Sequence, residues 1–266
     1  MVHPAPPLTS LLSPLPSITM LTISNLTAAV GEKTILRGVD LDLAPGQVHA
    51  IMGPNGSGKT SLGRVLAGHP AYAVTGGSAT LDGKDLLALD IEERALAGLF
   101  VSWQYPVEVP GVANTEFLRL AVNARRRHRD EPEMSAKDFA PWIAEVAKTA
   151  QVPADYLERP LNAGMSGGQK KRNEILQLHA LSPSVAFLDE TDSGLDIDAI
   201  KSVASSINAW RRADRSVILV THFQRLLDMV KPDRVHVLAD GRIQQSGGPE
   251  LAEQLEREGY DWIVRV

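Results

Sequence analysis

The spacing of apolar and polar residues changes along the chain, and each change predicts a different kind of element. Met20-Leu21-Thr22-Ile23-Ser24-Asn25-Leu26 opens a strand pattern, and Val39-Asp40-Leu41-Asp42-Leu43 sets apolar against acidic side chains, as in a half-buried strand. After the turn Pro45-Gly46, Val48-His49-Ala50-Ile51-Met52 reads as a buried strand, followed by a glycine-rich turn and a helical pattern over residues 61–67. Ser78-Ala79-Thr80-Leu81 is a further strand, closed by Asp82-Gly83. The early strands read as antiparallel, and Val48-His49-Ala50-Ile51-Met52 reads as the first strand of a parallel core.

Residues 98–103 predict another buried strand, ending on a loop at residues 104–111 stiffened by Pro106 and Pro110. The period is then helical to about Leu181. Asn114 is expected to cap a helix over residues 115–127, Ser135 with Asp138 starts one running to about Thr149, and Ser166 with Gln169 forms a capping box for a third. Residues 184–190 and 216–221 are apolar strands, residues 235–238 and 242–244 form a hairpin around Asp240-Gly241, and a helix follows Pro249. The expected fold is α/β with a mixed sheet.

Residues 1–19 carry Pro4, Pro6, Pro7, Pro14 and Pro16 but no Lys or Arg, so the expectation is a proline-rich disordered tail rather than a secretory signal, with Met20 an alternative start. Of the 266 residues 44% are apolar, enough for a sizeable core. The net charge of −5 provides no global basic field for nucleic acid, and Arg125-Arg126-Arg127-His128-Arg129 fits a solvated helix end. With no cysteine, disulfides, thiol catalysis and thiolate metal sites are excluded. No apolar run is long enough to insert directly in a membrane.

The chemistry centres on Gly53-Pro54-Asn55-Gly56-Ser57-Gly58-Lys59-Thr60, which fits the phosphate-binding pattern G-x-x-x-x-G-K-[ST] between a strand and a helix. Glycines let the backbone N–H groups close around a polyphosphate, and the helix start adds its positive dipole end. Lys59 is placed to reach the β- and γ-phosphates of ATP, and Thr60 to offer a hydroxyl to Mg²⁺. The strand-end acids Asp189 and Glu190 read as the Mg²⁺-organising aspartate and the group that polarises the attacking water. His222 follows an apolar strand, at the sheet end where α/β folds place ligands. Two glycines in the first helical turn after Ser166 are costly unless something anionic approaches closely.

The order of these motifs, from the P-loop through Gln104, Ser166-Gly167-Gly168-Gln169, Asp189-Glu190 and the Ser193-Gly194-Leu195-Asp196 loop to His222, resembles the ABC-type ATPases. Within them the chain is most similar to the SufC family, the ATPase subunits of the SUF iron–sulfur cluster assembly machinery. Residues 72–77, 83–89, 104–112, 166–178, 188–197, 221–243 and 259–263 carry the closer likeness. The resemblance implies an ABC ATPase domain over residues 20–266, with an antiparallel β subdomain and a helical subdomain inserted at residues 105–181. It also implies Gln104 as the Q-loop glutamine touching Mg²⁺, Ser166-Gly167-Gly168-Gln169 as the signature offered to a second copy's γ-phosphate, and His222 as the switch histidine. Gln169 stands where the family usually has glutamate, Thr60-Ser61 reverses a serine–threonine order, and Val30 lies near the usual adenine-stacking aromatic.

The implied role is a cytoplasmic ATP-hydrolysing motor that pairs two copies on ATP and works on scaffold partners like SufB and SufD. Two alternatives share parts of this pattern: the nucleotide-binding subunit of an ABC transporter, and a nucleotide-binding module without turnover. Lys171, just inside the signature helix, is expected to hold Glu190 in an ion pair that idles the free subunit.

Overall fold

The computed structural model describes residues 20–264; the proline-rich tail expected at residues 1–19 lies outside them. The first strands, β1 (Leu21–Val30), β2 (Lys33–Leu43), β4 (Ala73–Leu81) and the short β5 (Lys84–Asp85), form an antiparallel sheet in the order β2-β1-β4-β5. On β2 the alternation from Val39 to Leu43 is realised, with Val39, Leu41 and Leu43 buried and Asp40 and Asp42 exposed.

The main sheet has six strands in the order β12-β11-β3-β10-β9-β6. They are β3 (Val48–Met52), β6 (Leu99–Ser102), β9 (Val185–Asp189), β10 (Ser216–Val220), β11 (Arg234–Ala239) and β12 (Arg242–Gly247). All neighbours pair in parallel except β11 and β12, the hairpin that turns on Asp240-Gly241. Strands β3, β9 and β10 are buried at every residue, which is why they read as unbroken apolar runs. Successive side chains feed two cores. Val48, Ala50 and Met52 face one with Ala186, Leu188, Val217 and Leu219, whereas Ile51, Val185, Phe187, Ile218 and Val220 face the other, against β1 and β2.

Helix α1 (Lys59–Leu66) follows the P-loop, and its C-terminal carbonyls of Val65 and Leu66 both accept from the buried Arg94 guanidinium. Arg94 lies on α2 (Ile91–Ala97), whose Asp90–Glu93 capping box fixes its start. Between β6 and β9 the chain forms a two-stranded ribbon, β7 (Val109–Ala113) with β8 (Pro160–Leu161), and three helices: α3 (Asn114–His128), α4 (Ala136–Thr149) and α5 (Gly167–Leu181). Helices α6 (Ile197–Trp210), α7 (Gln224–Val230), α8 (Glu250–Glu258) and α9 (Asp261–Val264) complete the chain.

Ser135 caps α4 as expected, accepting from the Asp138 N–H, and Ser166 and Gln169 form the capping box that starts α5. Asn114 departs from expectation. It is the first residue of α3, and Ala113 takes the cap position without a side-chain bond. Asn114 is fully buried, its amide donating to the Tyr156 carbonyl and to Asn173, which in turn donates to Asn162. A buried amide with partners in two other segments is worth more than an exposed cap, so tertiary hydrogen bonding overrides the local preference.

Candidate functional site

The C-terminal ends of β3, β9 and β10 converge on one cleft of about 600 Å³. Asn55, Gly56, Gly58, Lys59, Thr60 and Ser61 form one wall, and Gln104, Glu190, Asp192, Ser193, His222 and Phe223 the other. The P-loop is shaped by the fold around it. Gly53 has φ +150°, and a Cβ there would lie 2.0 Å from the Leu238 carbonyl oxygen. Gly58 has φ +111° and would press a Cβ on Leu36. The loop is also clipped to the β11–β12 turn, where the Gly241 N–H donates to the Ser57 carbonyl at 3.0 Å. Gly63 in α1 admits the Phe187 ring to within 2.6 Å of where its Cβ would stand, setting the helix directly on β9.

Lys59 is buried, and its ammonium donates to the Gly53 and Pro54 carbonyls at 2.8 and 2.9 Å, across the mouth of the loop. Burial depresses its pKa, and the nearby Glu190 and Asp189 carboxylates oppose that shift. Asp189 closes β9 and is 1% exposed, and its backbone N–H donates to Ser102 Oγ at 3.2 Å. Burial raises the Asp189 pKa; the Thr60 hydroxyl beside it pulls the other way, and Glu190 adds to the rise. Both Asp189 oxygens and Ser57 Oγ are sealed from solvent without a well-formed hydrogen bond among the described residues. Buried carboxylate oxygens of this kind leave positions that a cation can fill. Thr60 and Gln104 line the cleft and Thr60 lies beside Asp189, so a hydroxyl, an amide oxygen and a carboxylate, the hard oxygen donors that suit Mg²⁺, are available to such an ion.

Glu190 adopts a left-handed conformation, φ +49°, which turns it off the strand into the cleft while its N–H donates to the Val220 carbonyl. Its carboxylate accepts from Gln104 Nε2 at 2.6 Å and faces His222 Nε2 at 3.4 Å. Burial and the Lys59 charge lower the His222 pKa, which favours a neutral imidazole near pH 7 despite the carboxylate.

The expected ion pair between Lys171 and Glu190 is not formed. Lys171 Nζ donates to the Trp103 carbonyl at 2.7 Å and lies 3.8 Å from Glu174 Oε2, both groups being nearly inaccessible. Glu174 is one helical turn away on α5 and needs no chain crossing to reach, whereas Glu190 is engaged by Gln104 and His222. Ser166-Gly167-Gly168-Gln169, read as a signature offered to a second copy, does not line its own P-loop cleft. It lines a separate depression of about 380 Å³ with Arg172, Gly194 and Leu195.

Several contributors escaped the sequence reading. Lys33 and Ile35 on β2 line the nucleotide cleft, whereas Val30 is not among its lining residues. Asp192 is buried and accepts from the Thr221 hydroxyl, which also accepts from the Phe223 N–H at 2.9 Å, so the two flanks of His222 are fixed by one acid. Burial pushes Asp192 up to about 6. The signal available was the third acid of Asp189-Glu190-Thr191-Asp192, but nothing local ties it to Thr221.

Residues 36–193 match the ABC transporter family, more than half of the chain. The "Probable ATP-dependent transporter SufC" of Escherichia coli is 53% identical over 92% of this chain and 99% of its own length. The "Probable ATP-dependent transporter slr0075" of Synechocystis is 51% identical over 93% and 96%. "Vegetative protein 296" of Bacillus subtilis is 51% identical over 91% and 92%. In structure, the ADP- and Pi-bound dimeric cassette MJ0796 superposes with a TM-score of 0.75 over 86% of this chain and 99% of its own, at 22% identity, which supports the fold. The six-stranded mixed sheet, the antiparallel sheet beside it and the P-loop cleft are those of an ATP-binding cassette, and the chain is an ATP-hydrolysing enzyme that uses ATP and Mg²⁺. Taken with the identity across nearly the whole length, this chain belongs to the ABC-type ATPases and, within them, to the SufC family.

Proposed function

We propose that the chain is the cytoplasmic motor subunit of an iron–sulfur cluster assembly complex, hydrolysing ATP between two copies and passing the closure to scaffold proteins like SufB and SufD. The observation that carries the paired arrangement is the separation of the two half-sites: the P-loop cleft and the Ser166-Gly167-Gly168 depression lie apart in one protomer. The signature helix start offers anion-binding N–H groups that its own P-loop does not use, so a second copy, head to tail, completes each site.

Within such a site the loop of Gly53, Pro54, Asn55, Gly56, Ser57 and Gly58 cradles the phosphates, with Lys59 against their charge and Ser61 at the cleft wall. Thr60, Asp189 and Gln104 would hold Mg²⁺, which when bound would offset the charge of the phosphates. Glu190 accepts the proton of the attacking water, and His222, beside it, holds the water and the γ-phosphate in register. Ser166 and Gln169 position the glycine turn that the partner copy's phosphate meets.

The scaffold reading is supported by the chain's lack of cysteine, which leaves cluster ligation to other proteins, and by an apolar groove of about 370 Å³. Ile91, Leu96, Phe100, Phe117 and Ala121 line it together with Trp103, the residue before Gln104. An apolar segment of a scaffold chain seated there lies one residue from the catalytic cluster. Isolating the tagged chain from its native source tests the role. Co-isolation of cysteine-bearing scaffold chains supports it, and co-isolation of membrane-spanning chains establishes the transporter reading instead.

A further inference from the structure

Two buried charges on the signature helix grip a single residue of the neighbouring loop from both sides. Glu174 Oε1 accepts the Trp103 N–H at 2.9 Å, and Lys171 Nζ donates to the Trp103 carbonyl at 2.7 Å. Both side chains are about 4% exposed, and they face each other at 3.8 Å. Placing two charges in a core is costly unless each is paired and hydrogen-bonded, and an apolar pair would fill the same space without that cost. The charges therefore need a reason beyond packing. Trp103 ends the β6 side of the site, and the next residue, Gln104, donates to the Glu190 carboxylate at 2.6 Å. The direction of the Gln104 side chain depends on the peptide planes on either side of Trp103, and those are what Glu174 and Lys171 hold. The same Trp103 borders the apolar groove.

We propose that Lys171 and Glu174 are positioning residues for the catalytic glutamate: they clamp the Trp103 backbone so that Gln104 presents its amide to Glu190, and they tie that presentation to the placement of the signature helix. Movement of α5 when the signature meets nucleotide, or of Trp103 when the groove is filled, then changes the hold on Glu190. A looser tether reinforces the link: Lys170, the preceding residue on α5, pairs with Glu108 further along the same loop, and Asn162 donates to the Val107 carbonyl at 2.8 Å. The inference rests on the roles given to Gln104 and Glu190 above.

The test replaces both charges at once, Lys171→Met with Glu174→Leu, so that neither is left buried and unpaired. Steady-state ATP hydrolysis is measured at saturating and limiting ATP in the native background and in Gln104→Ala. In the native background the pair should lower kcat by up to about a hundredfold, the scale of a misplaced catalytic contact, with KM for ATP within about twofold. In the Gln104→Ala background the pair should cause no further loss, because the group it positions is gone. Glu174→Gln, which keeps an oxygen for the Trp103 N–H, should recover most of the activity lost in Glu174→Leu. An equal loss in both backgrounds, or a pair variant with native kcat while Gln104→Ala is impaired, overturns the clamp. A fully active Gln104→Ala overturns instead the reading of Gln104 on which it rests. If the double variant does not fold, the comparison of Glu174→Gln with Glu174→Asp decides: the shorter acid cannot reach Trp103 and should lose kcat alone, and equal activity of the two contradicts the proposal.

Discussion

The two glycine turns of this chain, at Gly53 to Gly58 and at Gly167-Gly168, look alike in sequence and differ in what their own fold requires of them. A Cβ at Gly53 would strike the Leu238 carbonyl, and Gly58 holds a left-handed backbone against Leu36. These glycines are needed by the protomer itself. At Gly167 a Cβ would meet nothing within 4 Å, and at Gly168 only the flexible tip of Leu195 at 3.2 Å. Glycine is a poor helix former, so an open position at a helix start has no internal reason to be glycine. The first turn is shaped from within and the second is left bare towards the outside, and in the proposed pairing a second copy's phosphate and P-loop approach it there.

Substitutions in the two turns and around them separate these roles. Glu190→Gln should lower turnover about 10²–10³-fold, as loss of one transition-state contact does, while ATP binding persists and the paired form accumulates. Lys59→Ala should weaken binding as well, because it removes the charge facing the phosphates. Phosphate release with nucleotide-binding titrations separates the two, and native turnover in Glu190→Gln removes it as the base.

Gly53→Ala should destabilise the isolated protomer by more than about 3 kcal/mol, since a backbone oxygen cannot yield as a side chain can. Denaturant unfolding measures this directly.

The strand beneath the P-loop gives an acid-side signature of comparable size. His49 on β3 and His236 on β11 are buried against each other, Nδ1 to Nε2 at 3.0 Å, with Gln47 and Ser246 at the outer ends. Burial lowers both to about 4, with Arg234 also acting against the charged form of each. Because the folded values lie below the unfolded 6.5, the unfolded chain binds more protons between the two, and stability is present above pH 6.5 and lost as the pH falls towards 4. One such histidine contributes about 3 kcal/mol across that window. Glu174, pushed up to about 7 chiefly by burial, works in the opposite direction, so the measurement is the difference in acid slope between the native chain and His236→Gln. Equal slopes would remove the histidine pair as its source.

The smallest effect is the most diagnostic of the contrast. Gly167→Ala should raise protomer stability by up to about 1 kcal/mol and yet lower turnover, because the added methyl stands where the partner must approach. A loss of stability would place that glycine with the first kind.

How much of this was legible beforehand follows the same division. Local chemistry announced the P-loop, the strand-end acids and the Ser166–Gln169 box, because a glycine spacing, an apolar run or a cap is written in adjacent residues. Partnerships were not legible. Lys171 finds Glu174 and Trp103 rather than Glu190, and Asn114 enters a buried amide cluster rather than capping α3. Asp192 holds the strand end before His222 through Thr221. Apart from the one-turn pairing of Lys171 with Glu174, these choices are made between segments tens of residues apart, where burial and hydrogen-bond supply decide and sequence spacing has no say.

If each ATP site is built from two protomers, two defective variants should complement each other when mixed. Glu190→Gln lacks the base of its own P-loop site but keeps an intact signature; Ser166→Arg fills its signature turn but keeps an intact P-loop and base. Each alone should be nearly inactive. Combined before ATP is added, they should recover activity approaching about a quarter of the native rate, because half of randomly paired dimers then carry one intact site of two. A mixture no more active than its components, or a Ser166→Arg variant that is fully active alone, would contradict the two-protomer site.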